Sequence, residues 1–279
     1  MVTLADALRA WVRDQADIRV AVLFGSRART ELGTAQPADD WSDVDLELVT
    51  TRPGRYLDRA WTAGLVGFPL HAYAVRPVFG GVHKVTARFA GGEVDLVIVP
   101  YRRLWLGKLA FGLGLHRHLA FVRRGLGEFA LVMSGGHVLL KGGPDWEKFY
   151  ARAVQEVPLA HLTDAEAIAL AECAYVDGAA MLGKLARGEF VAAQRWLHRS
   201  IVEANLRLLH ERRRRRGLDS FPDGRRVEQV LAPDELALVR FEAQLDAASL
   251  RAAILASLAG TRKLITDLTG KAPGWPELN

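Results

Sequence analysis

Three aspartates and one glycine-serine turn have the residue types and spacing with which this 279-residue sequence could do chemistry. Asp43 and Asp45 form an Asp-x-Asp pattern, and Asp95 lies in a later apolar run. Carboxylates on the same face of a strand lie a few ångströms apart, and a divalent cation relieves their repulsion. Gly25-Ser26 permits close backbone approach, and the N–H groups of a following helix would bind phosphate. Together these residues predict a two-metal site for in-line phosphoryl or nucleotidyl transfer.

Short strands must position these groups. Residues 19–25 are apolar except for Arg19 and end at the glycine-serine turn, which predicts a buried strand followed by a helix. Residues 43–50 alternate with period two, so that the acidic side chains share one face. Residues 93–99 predict another strand after a hairpin turn at Gly91-Gly92. If this strand pairs beside residues 43–50, Asp95 joins the other two carboxylates.

The composition changes along the chain, which predicts two domains. The first part alternates strand and turn signals, with a last predicted strand pair at residues 129–134 and 137–141. Beyond Trp146 helix-forming residues dominate, and Thr163 begins a capping-box pattern. We therefore expect an α+β chain with a mixed β-sheet and flanking helices in residues 1–143 and an all-α helical domain in residues 144–279. The glycine-glycine-proline segment at 142–144 predicts the hinge.

The motifs resemble those of a known superfamily. The segments LFGSRA, SDVDLEL and EVDLVIVP, in this order, resemble the DNA polymerase beta-like nucleotidyltransferases. Within that superfamily the pattern is most similar to the aminoglycoside 6-adenylyltransferase (streptomycin adenylyltransferase) group, which pairs a nucleotidyltransferase domain with a helical domain. The motif match covers about residues 20–100, and the helical half matches in size and character only.

The resemblance implies a role for each matching residue. Gly25 and Ser26 would hold the β- and γ-phosphates of ATP, and Arg27 would stabilise the departing pyrophosphate. The three aspartates would bind two Mg²⁺ ions, and the last of them would also help to activate the acceptor hydroxyl. The implied reaction moves AMP from ATP to a hydroxyl of a small cationic acceptor, such as streptomycin, and confers antibiotic resistance. The acceptor is expected in a cleft between the two domains, with acids of the helical half as candidate ligands.

Two further features have a simpler interpretation than catalysis. Glu47 shares a strand face with Asp45, but a solvated strand acid is the default expectation. Residues 212–216 are five consecutive arginines, which a helix would point in all directions. We expect them to form a solvated helix end that complements the negative end of the helix dipole, with an anion or RNA contact as the alternative.

Charge and hydropathy bear on partners and location. The net charge is +5, and most of it lies in the first half of the chain. Without the arginine run the second half is mildly acidic, which suits a cationic acceptor better than a nucleic acid. A single cysteine excludes an internal disulfide framework. With no signal-like or spanning apolar segment in the sequence, we expect a cytoplasmic protein without a membrane partner.

Three hypotheses remain open from the sequence. The first is the small-molecule adenylyltransferase described above. The second is a nucleotidyltransferase that modifies RNA or a protein side chain, as in some toxin–antitoxin pairs. The third is an inactive member that only binds nucleotide as a regulatory module, against which the presence of all three aspartates argues. The oligomeric state, the nucleotide and the modified hydroxyl are left open.

Overall fold

The expected α+β architecture is present in the computed structural model, which describes residues 2–33, 37–78, 81–157, 161–220 and 224–278. The chain divides into two units, residues 1–160 and 161–279. The first unit is built on a six-stranded sheet whose strands are β1 (Ile18–Phe24), β2 (Val44–Thr50), β3 (Leu70–Pro77), β4 (His83–Phe89), β5 (Gly92–Pro100) and β6 (His137–Lys141). Its α-helices are α1 (Leu4–Asp14), α2 (Gly25–Leu32), α3 (Tyr101–Gly112), α4 (Ala120–Ser134) and α5 (Pro144–Glu156). Short 3₁₀ helices span Pro53–Tyr56, Arg59–Gly64 and Leu115–Arg117.

The sheet is mixed, as the sequence predicted. Its strand order is β3-β4-β5-β2-β1-β6. The two central strands β2 and β5 run parallel, and every other neighbouring pair is antiparallel. The predicted hairpin between β4 and β5 is present, but its turn residues are Ala90 and Gly91, one position before the predicted pair, because Gly92 already pairs with Phe89. Because β2 and β5 are neighbours, the strands that carry Asp45 and Asp95 lie side by side at the centre of the sheet.

The two faces of the sheet have separate apolar cores. One face carries alternate residues of the central strands, such as Leu46 and Leu96, and packs with the buried side of α1. The opposite face carries Val22 and Val99 and packs with α3, α4 and α5. Period-two alternation therefore assigns Asp45 and Asp95 to the face that α3–α5 cover.

Two sequence predictions for this unit are wrong. Residues 129–134 are the end of helix α4 rather than a strand, although the partner segment is a strand, β6. Leu126, Ala130 and Met133 are buried at helical spacing, and a short apolar run does not by itself distinguish a strand from a helix.

The boundary predicted at residue 143 is also displaced, because α5 belongs to the first unit. Phe149, Tyr150 and Ala153 on α5 are buried in the core on the second face of the sheet. The change in composition at Trp146 marks the start of the helical segment α5 and not the boundary between the units. The units divide after α5, between residues 160 and 161.

The described part of the second unit is built from helices. They are α6 (Asp164–Ala186), α7 (Phe190–Trp196), a π-helix (Leu197–Val202), α8 (Glu203–Arg215), α9 (Val227–Val230), α10 (Pro233–Leu236) and α11 (Ala247–Thr269). The predicted capping box is present, because the Thr163 hydroxyl oxygen accepts a hydrogen bond from the backbone N–H of Glu166 and the Glu166 carboxylate accepts one from the backbone N–H of Thr163. Over the described ranges, no helix combines the length and apolar character that crossing a bilayer requires.

The arginine run is not the solvated helix end that the sequence suggested. Arg212 and Arg213 are buried and both pair with Glu235, and Arg212 also binds Asp267 at 2.7 Å. The run does end helix α8, but its first two side chains turn inward and join α8 to α10 and α11. The acids that pair with Arg212 and Arg213 come from distant parts of the chain. The local sequence therefore predicted the end of the helix but not the burial of these two arginines.

Candidate active site

The three aspartates of the motif come together at one end of the central strand pair. Asp45 and Asp95 are direct partners in the parallel register of β2 and β5, and Asp43 immediately precedes β2. One oxygen from each of the three carboxylates lies within 4.8 Å of the others. Three hard, anionic oxygen donors at this separation fit Mg²⁺, because like charges so close are unfavourable without a cation between them.

Gly25 lies against this cluster. It has a φ of +74°, and a Cβ atom built on it would lie 2.3 Å from Oδ2 of Asp45. Glycine is therefore required twice, for the left-handed backbone and for the close approach of the carboxylate. The turn begins helix α2, whose N-cap residue Phe24 makes no side-chain cap. The first N–H groups of α2, including that of Ser26, lack intrahelical partners and favour an anion at this end.

Arg27 holds the loop that carries Asp43. Its Nε donates to the carbonyl oxygen of Asp43 at 2.9 Å, and its Nη2 donates to that of Ser42 at 2.8 Å. The guanidinium thus fixes the entry to β2 from the helix that follows the glycine turn. This positioning contact was not predicted from the sequence, and the predicted contact of Arg27 with pyrophosphate stays a prediction.

Strand β4 supplies two partners of Asp95 that the sequence did not predict. Thr86 Oγ1 donates to Asp95 Oδ1 at 2.6 Å, and Lys84 Nζ lies 2.5 Å from Oδ2. The antiparallel register pairs Thr86 with Asp95, which puts Lys84 on the same face two residues away. Period-two alternation in β4 could have indicated that these two side chains share a face, but the register was needed to aim them at Asp95.

Glu47 is buried, against the expectation of a solvated strand acid. It is 4% exposed, and the hydroxyl of Tyr150 on α5 donates to its Oε1. Burial raises the pKa of Glu47 to about 7, and the hydrogen bond from Tyr150 opposes that rise. Tyr150 lies on α5, more than a hundred residues along the chain from Glu47. The sequence around Glu47 therefore could not indicate that this carboxylate is buried.

A cavity of about 750 Å³ opens from the carboxylates along the second face of the sheet. Asp45, Glu47 and Asp95 line one part of it, together with Lys84. Helices α3 and α4 line the rest, mainly with aliphatic and aromatic side chains. A concave, largely apolar space with a few converging polar groups is the usual form of a small-molecule site.

Comparisons with known proteins give structural likeness without sequence relatives. No protein-family model matches the chain, and no curated protein does. Among solved structures, the chain is similar to an aminoglycoside 6-adenyltransferase from Bacillus subtilis, with 13% identity and a TM-score of 0.38 over 97% of this chain and 92% of that one. It is also similar to a nucleotidyltransferase-like protein from Exiguobacterium sibiricum, with 15% identity and a TM-score of 0.35 over 92% of this chain and 71% of that one. Likeness at this level does not assign a function.

Proposed function

We propose that this protein is a metal-dependent nucleotidyltransferase that transfers AMP from ATP to a hydroxyl group of a small molecule and releases pyrophosphate. One observation carries the proposal. Three carboxylates have oxygens within 4.8 Å of one another on the central strands, and the first turn of a helix begins against one of them at Gly25. A divalent-metal site next to a phosphate-binding helix end is the arrangement that in-line nucleotidyl transfer needs.

The residues divide the chemistry between them. Asp43, Asp45 and Asp95 would hold the Mg²⁺ ions, which when bound stabilise the charge on the entering and leaving oxygens. Gly25 and Ser26 would receive the β- and γ-phosphates at the N-terminal end of α2. The acceptor oxygen forms a bond to the α-phosphorus as the bond to the pyrophosphate oxygen breaks, and we assign the hydroxyl proton to Asp95. Arg27 keeps Asp43 in place through the loop carbonyls.

The first acceptors to test are aminoglycosides, which the family resemblance suggests. The assay follows pyrophosphate release with Mg-ATP and a panel that includes streptomycin. Labelling of RNA or protein, in place of any small molecule, would contradict a small-molecule acceptor. Absence of metal-dependent nucleotide binding would contradict the nucleotidyltransferase proposal itself.

The matched variants are Asp45→Asn and Asp40→Asn. Asp40 is an exposed acid in the segment that leads to β2, so its substitution removes a similar charge outside the carboxylate cluster. We expect Asp45→Asn to lower turnover by at least about a hundredfold, because transition-state charge loses its counter-charge, and Asp40→Asn to leave it unchanged. Circular dichroism and thermal unfolding check the fold, and chelation by EDTA should abolish turnover until Mg²⁺ is restored.

A further inference from the structure

The cavity next to the carboxylates has strongly apolar walls. Leu109 on α3 and Val122 on α4 line it, and the rim includes Phe121, which is 75% exposed. Covering solvent-exposed apolar side chains with an apolar group is favourable, because it removes apolar surface from water. Away from the carboxylate end, the charged side chains on the described lining are Arg103 and Glu128, and Glu128 pairs with Arg124.

Two helical glycines keep this space open. Gly107 on α3 and Gly125 on α4 both line the cavity, and a Cβ atom added to either would meet no atom within 4 Å. A glycine inside a helix costs about 1 kcal/mol relative to alanine. Each glycine therefore lowers the stability of its helix, although there is space at both positions for a larger side chain.

The position of the cavity relative to the phosphate turn points to the acceptor rather than to the nucleotide. Asp45 and Asp95 line the cavity, whereas Gly25, Ser26 and Asp43 lie outside the lining that the described residues form. In an in-line displacement the attacking oxygen stands opposite the leaving pyrophosphate. If pyrophosphate leaves on the side of Gly25 and Ser26, the acceptor approaches from the cavity.

We propose that the cavity binds an acceptor with an apolar body and a hydroxyl group that reaches the carboxylates. This inference rests on the proposed function and specifies its acceptor class. It departs from the polycationic acceptor that the resemblance implied. The mainly aliphatic walls of α3 and α4 would remove water from ammonium groups, and the acid that these helices add to the described lining, Glu128, already pairs with Arg124. In the reaction the alcohol oxygen bonds to the α-phosphorus, the bond to pyrophosphate breaks, and the hydroxyl proton passes to Asp95.

The first experiment measures binding of straight-chain primary alcohols, from 1-butanol to 1-decanol, by calorimetry in the absence of nucleotide and metal. We expect the dissociation constant to fall about fourfold for each added methylene until the cavity is filled. Affinity that does not change with chain length would overturn the proposal.

The cavity-filling variants Gly107→Leu and Gly125→Leu locate the binding. Both should remove the dependence on chain length. Gly127→Leu is the matched control, since Gly127 lies on the same helix as Gly125, also has no atom within 4 Å of an added Cβ, and is outside the described lining. We expect it to bind alcohols as the wild type does. Chain-length dependence that persists in both filled variants would place the alcohols elsewhere and contradict the proposal.

The second experiment separates this inference from the proposed function. With Mg-ATP present, mass spectrometry should detect alkyl esters of AMP, whose yield rises with chain length and falls in Gly107→Leu. Loss of ATP binding in the filled variants would mean that the cavity holds the nucleotide and would overturn the acceptor assignment. If the wild type binds no Mg-ATP, the proposed function fails, whereas the alcohol titrations still report on the cavity independently.

Discussion

At the scale of single residues, the site depends on the missing side chain of Gly25. The left-handed backbone at this position lets α2 start beside Asp45, and the nearest carboxylate oxygen occupies the volume that a Cβ atom would need. Any other residue would push Asp45 away from Asp95 or move the start of the helix. The proposed metal site and the proposed phosphate-binding end of α2 would then no longer lie side by side.

We predict that Gly25→Ala abolishes nucleotide-dependent turnover. The change adds about 1–2 kcal/mol of backbone strain together with a steric clash against Asp45. Gly33→Ala is the control, because Gly33 at the end of α2 also has a positive φ but an added Cβ meets nothing within 4 Å. Both variants should unfold at lower temperature, and only Gly25→Ala should lose metal-dependent ATP binding. Equal loss of binding in the two variants would show that strain alone is responsible.

At the scale of elements, Asp17 joins the start of β1 to the segment that follows β2. Its carboxylate accepts hydrogen bonds from Tyr56 at 2.8 Å and Thr50 at 3.0 Å, and it pairs with Arg55. Burial acts to raise the pKa of Asp17, but these hydrogen bonds and the charge of Arg55 outweigh it and lower the pKa below 3.8. The carboxylate therefore stabilises the anchored ends of the two strands in its ionised form.

We predict that Asp17→Ala lowers the free energy of unfolding by about 1–3 kcal/mol at neutral pH, since the buried hydroxyl of Tyr56 loses its acceptor. Because the folded-state pKa is lowered, the stabilisation is present above pH 3.8 and disappears as the pH falls through the folded-state value. Urea unfolding at pH 7 and pH 3 should show that the difference in unfolding free energy between the wild type and Asp17→Ala is smaller at pH 3. Asp14→Ala, at an exposed acid three residues earlier, should change little, and a pH-independent difference for Asp17→Ala would refute the linkage.

At the scale of the whole molecule, the basic composition is partly an internal feature. Arg212 and Arg213 are ion-paired inside the second unit, and Arg215 pairs with Glu211 and Asp164. These charges stabilise helix packing and are not displayed as a surface stripe. Each of these pairs joins a base to an acid, so the arginine run adds little to the net charge of +5 that a polyanionic partner would meet.

We predict that Glu235→Ala destabilises the second unit by about 3–5 kcal/mol, because it removes the carboxylate that pairs with buried Arg213 and leaves buried Arg212 with Asp267 alone. Arg216→Ala is the control at the exposed end of the same run and should have little effect. Thermal unfolding by calorimetry measures both. A small effect of Glu235→Ala would mean that water reaches Arg212 and Arg213 and replaces the carboxylate.

The sequence by itself determined the local features of this protein. Period-two alternation predicted β2 and the shared face of its acidic residues, and an apolar run after a glycine turn predicted β5. Gly25-Ser26 predicted the turn into a helix, and Thr163 with Glu166 predicted the start of α6. Such features depend on residues a few positions apart in the sequence. The regular geometry of helices, strands and turns is therefore enough to predict them.

Only the tertiary structure decided which distant groups meet. Strand register brought Lys84 and Thr86 to Asp95, and the packing of α5 buried Glu47 beneath Tyr150. The helical identity of residues 129–134, and the cavity that α4 forms with α3, likewise followed from packing against the sheet. Contacts between residues far apart in sequence depend on topology and on the fit of side chains in a core, and neither is encoded in a local pattern.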